Sequence, residues 1–420
     1  MFSFFTSSKN KEESSDIKNF DYLKSDTFYF DTACQTLRPI EVIQAENTYY
    51  KEHNSCGHRV KYPWGEKTDA LVEECRENLL KLVNKKAKEY TVAFTLNTTF
   101  GINQILFQLN TEAFDAILSS DIEHNSVFLP SLEFSKKFNK KRILLERDED
   151  GALIYEKKDL AKAIVLLNTT SNIHGLNLVN LKQLSKDIKE MGGILLLDSC
   201  QTFAHNPELL QDVEFDAVFG SGHKMYGPSV GFVIIKKEFL KTLQPYLIGG
   251  STVQKVDFDS YELIQEDAQI YARIEPGLQN YAGIIGLNKA IKWKNSWKYK
   301  AVDFSDEFEK LVNNKNATEY EKELAIYLNQ NLLELKNINL LNKKPSSVVS
   351  LYPTKDGFDG HKLALMLGQV GVMCRSGYHC CHYYLQKKLA LPPLFRISLG
   401  LNNTKEDIDF LIQKLKILLD

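Results

Sequence analysis

Two short stretches constrain this chain more than any others. Ile194-Leu195-Leu196-Leu197-Asp198-Ser199-Cys200-Gln201 is an apolar run, bordered upstream by Gly192-Gly193 and closed by an acid. Ser221-Gly222-His223-Lys224-Met225-Tyr226-Gly227-Pro228 holds a lysine in a glycine-punctuated turn, and it follows a second apolar run, Asp216-Ala217-Val218-Phe219. Runs this brief with such borders suit parallel strands buried on both faces. Ligands of parallel sheets bind outside the carboxyl ends of the strands. Asp198 and Lys224 are therefore expected at two adjacent strand ends, offering a carboxylate and an amine to one crevice.

The rest of the chain extends that frame. Strand-like runs alternate with helical periodicity over residues 90–235, which predicts an α/β domain with an open, mainly parallel sheet. Residues 27–31 read as a short strand, and 40–50 and 69–83 as helices. Between those helices, Asn54-Ser55-Cys56-Gly57-His58-Arg59 reads either as part of a site mouth or as a surface turn with a buried cysteine. Residues 90–95 lead as a strand into Asn97-Thr98-Thr99-Phe100-Gly101. Hydroxyls at a helix start make an anion site from backbone N–H groups, and they equally make a plain helix cap. Residues 115–119 run on to Glu123-His124-Asn125, where a histidine either lies on a conjugated ring and exchanges protons or caps the next helix. Residues 162–167 give another strand, and 178–191 the crossover helix before Ile194. Residues 249–252 and 275–278 are loop signals. Helical patterns at 281–295 and 318–333 lead to mixed runs at 348–351, 361–367, 372–375, 395–399 and 405–418. The expected organisation is an N-terminal arm over 1–24, a large domain over 25–290 and a smaller α+β domain over 291–420.

Composition removes several classes of function. Lys+Arg 52 against Asp+Glu 54 leaves no basic field for nucleic acid. No apolar run reaches the roughly 18 residues of a membrane span. Met1-Phe2-Ser3-Phe4-Phe5 is apolar but brief and lacks a basic flank, so it does not read as a signal peptide. The seven cysteines are an odd number, scattered through a long chain, which suits reduced thiols and a cytoplasmic location.

A lysine and an aspartate at neighbouring strand ends have a specific use. Pyridoxal phosphate (PLP) bonds covalently to a lysine, and its ring nitrogen needs an anionic partner to stay protonated. An isolated lysine or aspartate is usually just solvated, so the flanking residues decide. Asp198-x-x-Gln201 followed by Ser221-Gly222-His223-Lys224 resembles the class V aminotransferase superfamily of PLP fold type I, in its cysteine desulfurase and selenocysteine lyase branch. Matches run, with gaps, from about residue 30 to the C-terminus.

The resemblance implies cofactor contacts from Thr98, Thr99, His124, Asn172, Asp198, Gln201, Ser221, His223 and Lys224. Thr98 and Thr99 hold the phosphate, His124 stacks on the ring, and Asn172 and Gln201 lie near the phenolic oxygen. Many relatives carry an acid where this chain has Phe100, and a threonine reaching the partner subunit's phosphate where it has Leu278. Cys374-Arg375-Ser376-Gly377-Tyr378-His379-Cys380-Cys381-His382 resembles the family's Arg-Ser/Thr-Gly-x-x-Cys loop, which places the nucleophile at Cys380. Arg396 aligns with the arginine that binds the substrate carboxylate, with Arg375 a further active-site contact. Cys380 and Cys381 also read as a buried, inert pair. His379 to His382 also read as soft metal ligands, but no second cysteine pair accompanies them, so no metal is expected.

The implied activity is a homodimeric, PLP-dependent cysteine desulfurase. It would convert L-cysteine to L-alanine and leave a persulfide on Cys380 for a sulfur-acceptor protein. Selenocysteine lyase, cysteine sulfinate desulfinase or another class V lyase or aminotransferase is the alternative within the superfamily. A non-catalytic sulfur-assembly scaffold is the alternative outside it.

Overall fold

The two apolar runs become the middle of a seven-stranded sheet in a computed structural model that describes residues 17–57, 60–302 and 311–420. Much of the expected 1–24 arm, and His58 and Arg59 of the 54–59 loop, lie outside the described residues. Strand β1 (Phe28–Tyr29) precedes helices α1 (Ile40–Glu52) and α2 (Pro63–Leu82). Helix α2 starts earlier than its apolar periodicity suggests, because Pro63 suits the first helical turn and Glu66 complements its dipole.

The large sheet follows. It contains β2 (Tyr90–Thr95), β3 (Ala116–Ser120), β4 (Lys141–Leu145), β5 (Ala163–Asn168), β6 (Ile194–Asp198), β7 (Ala217–Ser221) and β8 (Gly231–Lys236), in the order β2-β8-β7-β6-β5-β3-β4. Only β8 runs against its neighbours. Helices α3 (Thr98–Leu106), α4 (Asn125–Phe138), α5 (Leu181–Glu190) and α6 (Cys200–His205) connect the strands. Alternate residues enter opposite layers: Leu195 and Leu197 of β6 join one core cluster, and Leu196 joins the other. Val165 and Leu167 of β5 against Ile164 and Leu166 repeat the division. Burial on both faces is why these strands are continuously apolar and polar only at their ends. Each such leucine contributes about 2 kcal/mol.

Helix α7 (Lys237–Thr242) and an unanticipated hairpin, β9 (Val253–Val256) with β10 (Tyr261–Leu263), lead to α8 (Tyr281–Ser296). The C-terminal lobe opens with hairpin β11 (Lys298–Val302) and β12 (Leu311–Asn316) and helix α9 (Ala317–Leu333). Strands β13 (Ile338–Leu340) and β14 (Val348–Pro353), helix α10 (Gly360–Gly368), strands β15 (Val372–Met373), β16 (Arg375–Gly377) and β17 (Leu394–Ser398), and helix α11 (Lys405–Leu419) complete it. Its four-stranded sheet is ordered β13-β14-β17-β16. Strand β1 pairs with β15, and Asp31 bridges to Ser398, so the stretch entering the large domain is anchored on this lobe. Tyr226 ties the lobes again: its hydroxyl donates to Glu321 (3.2 Å) and accepts from the Leu401 N–H (2.8 Å). Among the described residues, no helix is long and apolar enough to cross a membrane.

A buried ion pair fixes the strand that feeds α3. Arg76 on α2 meets Glu275 through two bonds, of 2.7 and 2.9 Å, and stacks on Tyr271 at 3.6 Å. The same guanidinium donates to the Val92 carbonyl, while Glu275 also accepts from the Phe94 N–H. Removing one partner leaves a buried charge without compensation. Glu275→Ala is expected to cost about 3–5 kcal/mol of stability, measured by urea unfolding; a loss near zero would show that solvent reaches Arg76.

Candidate active site

Every strand of the parallel set ends on the same edge of the sheet, and the loops there carry the polar residues. A cavity of about 300 Å³ lies at this edge. Asp198 enters it from the end of β6, and Lys224 from the turn after β7. Asp198 Oδ1 accepts from the Cys200 N–H (3.1 Å), leaving the remainder of the carboxylate toward the cavity. The Lys224 amine takes no hydrogen bond or ion pair among the described residues. Larger hollows, of about 600 Å³ beside Lys315 and Tyr327 and about 410 Å³ behind Phe203 and Met225, gather no comparable set.

The start of α3 supplies an anion site. Asn97 caps the helix by accepting from the Phe100 N–H (2.9 Å), so the first-turn N–H groups of Thr98 and Thr99 precede the helix's own bonding. Thr98 donates to the Gly220 carbonyl (2.9 Å) and touches Cys200 Sγ (3.0 Å); Thr99 meets Ser126 Oγ at 2.7 Å. Gly231 makes this approach possible, since a Cβ there would sit 2.5 Å from the Asn97 backbone. Phe100 beside this turn and Leu278 are exposed apolar side chains, so neither offers a hydrogen bond to a phosphate.

His124 caps α4. Its Nδ1 accepts from the Ser126 N–H (3.1 Å), which places the ring proton on Nε2. The turn beneath it is fixed by Glu123, a fully buried carboxylate that accepts from Arg147 (3.0 Å) and from the Asn168 N–H (2.7 Å). Burial, with the positive charges of Lys224, Arg375 and Arg396, pulls the His124 pKa from 6.5 to about 3. Burial and Lys224 pull His223 to about 4, and its Nδ1 lies against Ser221 Oγ. His223 reaches the cavity, whereas Ser221 stands behind it. Gln201 donates to the Ala33 carbonyl (2.9 Å) while its buried Oε1 has no partner.

The C-terminal lobe forms the facing wall. Arg396 is almost fully buried; its Nη2 pairs with Asp31 (2.8 Å) and its Nη1 donates to the Asn172 carbonyl (3.1 Å). The expected carboxylate clamp is thus already shared with an aspartate. Among the described residues, the Arg375 guanidinium has the Cys34 sulfur (2.9 Å) as its one partner, which makes it the less committed cation of this wall. The Asn172 side chain donates to the His379 carbonyl (2.8 Å) and accepts from Cys381 (3.2 Å). Cys381 is buried, with a pKa pushed upward by that burial. Cys380 is partly exposed in a left-handed backbone (φ 58°), and its carbonyl accepts from the Asn125 N–H (2.6 Å) next to His124. Its side chain is not part of the cavity lining, whereas His379 is.

Among the described residues, no cluster of histidine, cysteine and acidic groups is placed to hold a metal ion. Of the 54–59 loop, residues 54–57 are described; they are not part of this cavity's lining, and Cys56 is exposed rather than buried. Asp31, Cys34, Arg147 and Asn168 carry no local signal in the sequence, and His379 reads there only as one of four soft ligands; their roles arise from contacts across the fold.

The residues present fit pyridoxal phosphate: an unpaired amine, a strand-end carboxylate for a protonated ring nitrogen, an unsatisfied Gln201 Oε1 and a helix N-terminus for the phosphate. This arrangement on a mainly parallel sheet with a smaller C-terminal lobe defines an enzyme of PLP fold type I. The chain belongs to the aminotransferase class V family, whose model matches residues 28–411. A probable cysteine desulfurase of Pyrococcus abyssi is 30% identical over 396 residues, covering 92% of this chain and 93% of that protein. One of Haemophilus influenzae is 29% identical, covering 93% and 86%. The solved apo cysteine desulfurase of Thermococcus onnurineus superposes with a TM-score of 0.80 at 25% identity, covering 94% of this chain and 95% of that one.

The depressed histidines set an acid limit. Unfolded, His124 and His223 take up protons near 6.5; folded, they stay neutral until about 3 and 4. The cofactor-free protein should therefore lose stability as pH falls below 6.5, by up to about 1.4 kcal/mol per pH unit for each histidine. His124→Asn is expected to flatten this slope between pH 6.5 and 4 in urea unfolding series. Equal slopes would mean that the ring titrates freely.

Proposed function

We propose that this protein is a PLP-dependent cysteine desulfurase, a reading carried by the unpaired Lys224 amine and the Asp198 carboxylate lining one cavity in a chain whose relatives are named cysteine desulfurases. Pyridoxal phosphate, when bound, supplies an electron sink for bonds at the substrate's α-carbon. Lys224 holds the cofactor and then moves the α-proton. Asp198 keeps the ring nitrogen protonated. Thr98, Thr99 and the N-terminus of α3 hold the phosphate, with Ser221 and His223 supporting from the β7 turn. Asn172 and Gln201 serve the phenolic oxygen, and the neutral His124 lines the ring side of the cavity. Arg375 and Arg396 bind the carboxylate of L-cysteine. Cys380 takes the sulfur: its thiolate bonds to the substrate sulfur as the carbon–sulfur bond breaks, and the carbon takes a proton to give L-alanine.

The persulfide then passes to an acceptor, for which the partly exposed position of Cys380 is suited. A homodimer follows from the resemblance to the family, and Leu96, Val256, Phe258 and Leu278 are exposed apolar side chains that a partner would cover. A cytoplasmic setting is supported by the seven unpaired cysteines. One observation favours a second reading, in which selenocysteine or cysteine sulfinate is the substrate. Cys380 is not part of the cavity lining, and these substrates have leaving groups that depart without thiol attack.

The reconstituted protein should absorb near about 420 nm, as a lysine-bound PLP does, and make alanine from L-cysteine. Cys380→Ser is expected to abolish that product while Cys381→Ser keeps it. Alanine from selenocysteine or cysteine sulfinate alone, unaffected by Cys380→Ser, would select the second reading.

A further inference from the structure

His379 is a titratable cavity residue that the reading above leaves without a task. Its ring is only 3 % exposed, and neither Nδ1 nor Nε2 has a hydrogen-bond partner. It nevertheless lines the cavity beside Lys224, Arg375 and Arg396. Buried polar atoms are normally satisfied, and an unsatisfied pair on one ring marks a place where a ligand atom completes the bonding. The backbone supports this. His379 and Cys380 both adopt left-handed φ angles, 44° and 58°, which are costly without glycine. Three hydrogen bonds impose them: Asn172 Nδ2 to the His379 carbonyl (2.8 Å), the Asn125 N–H to the Cys380 carbonyl (2.6 Å), and the Cys381 N–H to the Tyr378 carbonyl (2.7 Å). The loop is thus held in the form that turns the His379 ring inward.

The ring's chemistry narrows the ligand atom. Burial, Arg396 and Arg375 all lower its pKa, so the imidazole is neutral and a poor proton acceptor. What it offers is an N–H donor in a positive field, which suits an atom that gains negative charge. The substrate carboxylate has the two arginines. The phosphate has α3. The atom left that both gains negative charge and accepts a hydrogen bond is the sulfur in transit to Cys380, the next residue along the chain.

We propose that His379 is the residue that recognises the substrate's sulfur, donating its N–H to that atom as it moves from carbon to Cys380. The proposal rests on the desulfurase reading. In the step itself, the Cys380 sulfur–substrate sulfur bond forms as the Cβ–sulfur bond breaks. The electron pair of the broken bond stays with carbon, so carbon is reduced and sulfur oxidised, with no outside reductant. The substrate thiol gives up one proton and the carbon takes up one, leaving L-alanine and a persulfide anion. The outer sulfur of that anion is the atom His379 holds.

The test compares wild type, His379→Leu, which removes the donor, and His379→Asn, which keeps an N–H, all loaded with PLP. The readouts are the spectral shift on binding L-alanine, which has no sulfur, the rate of alanine formation from L-cysteine, and the persulfide on Cys380 by intact mass. L-alanine binding should be unchanged in all three. Alanine formation and persulfide should fall about 10²-fold in His379→Leu, the usual effect of losing one such donor, and recover substantially in His379→Asn. Should His379→Leu not fold, His379→Met provides the same comparison. An unaffected His379→Leu rate, or L-alanine binding lost in step with the rate, would overturn the inference alone. A wild type that makes no alanine from L-cysteine would overturn the desulfurase reading and this inference together.

Discussion

The parallel pairing of β6 with β7 is the constraint on which the site depends. Their register sets Asp198 opposite Phe219, so the strand-end carboxylate and the turn carrying Lys224 open on one side of the sheet. Because both faces of these strands are buried, polar side chains are tolerated only where the strands stop. Four further neighbours run the same way: β5, β3 and β4 by direct parallel pairing, and β2 because it opposes the antiparallel β8. Thr98, His124, Asn172, Asp198 and Lys224 all follow strand ends on that edge. Five loops far apart in sequence thereby furnish one cavity. The chemistry is concentrated there by the same burial that stabilises the sheet.

The second wall comes from the C-terminal lobe, and the first described strand belongs with it. Register pairs Arg375 of β16 with Arg396 of β17, and both side chains line the cavity. Such a pair needs counter-charge, and Asp31 gives it from a segment bridged to β17 at Ser398. Arg396 in turn holds the Asn172 carbonyl, and Asn172 holds the loop bearing His379 and Cys381. The two arginines, the loop bearing His379 to Cys381 and the carboxyl edge of the sheet are therefore one connected network. A change in the position of the lobe would be felt at each of them.

The sequence made the large sheet legible because its strands are short, apolar and closed by turn residues. The same pattern located Asp198 and Lys224, since a strand end is where a buried strand turns polar. Family resemblance then supplied Thr98, Thr99, His124 and Asn172, and the structure brings all of them to the cavity. Pairings across the fold were not legible. Arg76 with Glu275, Arg147 with Glu123 and Arg396 with Asp31 join residues with no common local pattern. The exposed hairpin of β9 and β10 carries little apolar alternation to announce it. The place of the His379 ring was hidden for a different reason. Its importance lies in what its ring lacks, and a missing hydrogen-bond partner appears only in three dimensions.

The central claim is that Lys224 is the amine that holds pyridoxal phosphate opposite Asp198. Reconstitution with the cofactor, reduction with borohydride and peptide mapping tests it most directly, because reduction fixes the pyridoxyl group where it was bound. The account predicts one pyridoxyl group per chain, on the peptide containing Lys224, and its loss from that peptide in Lys224→Ala. A label on another lysine, or no stable label in the wild type, would contradict it.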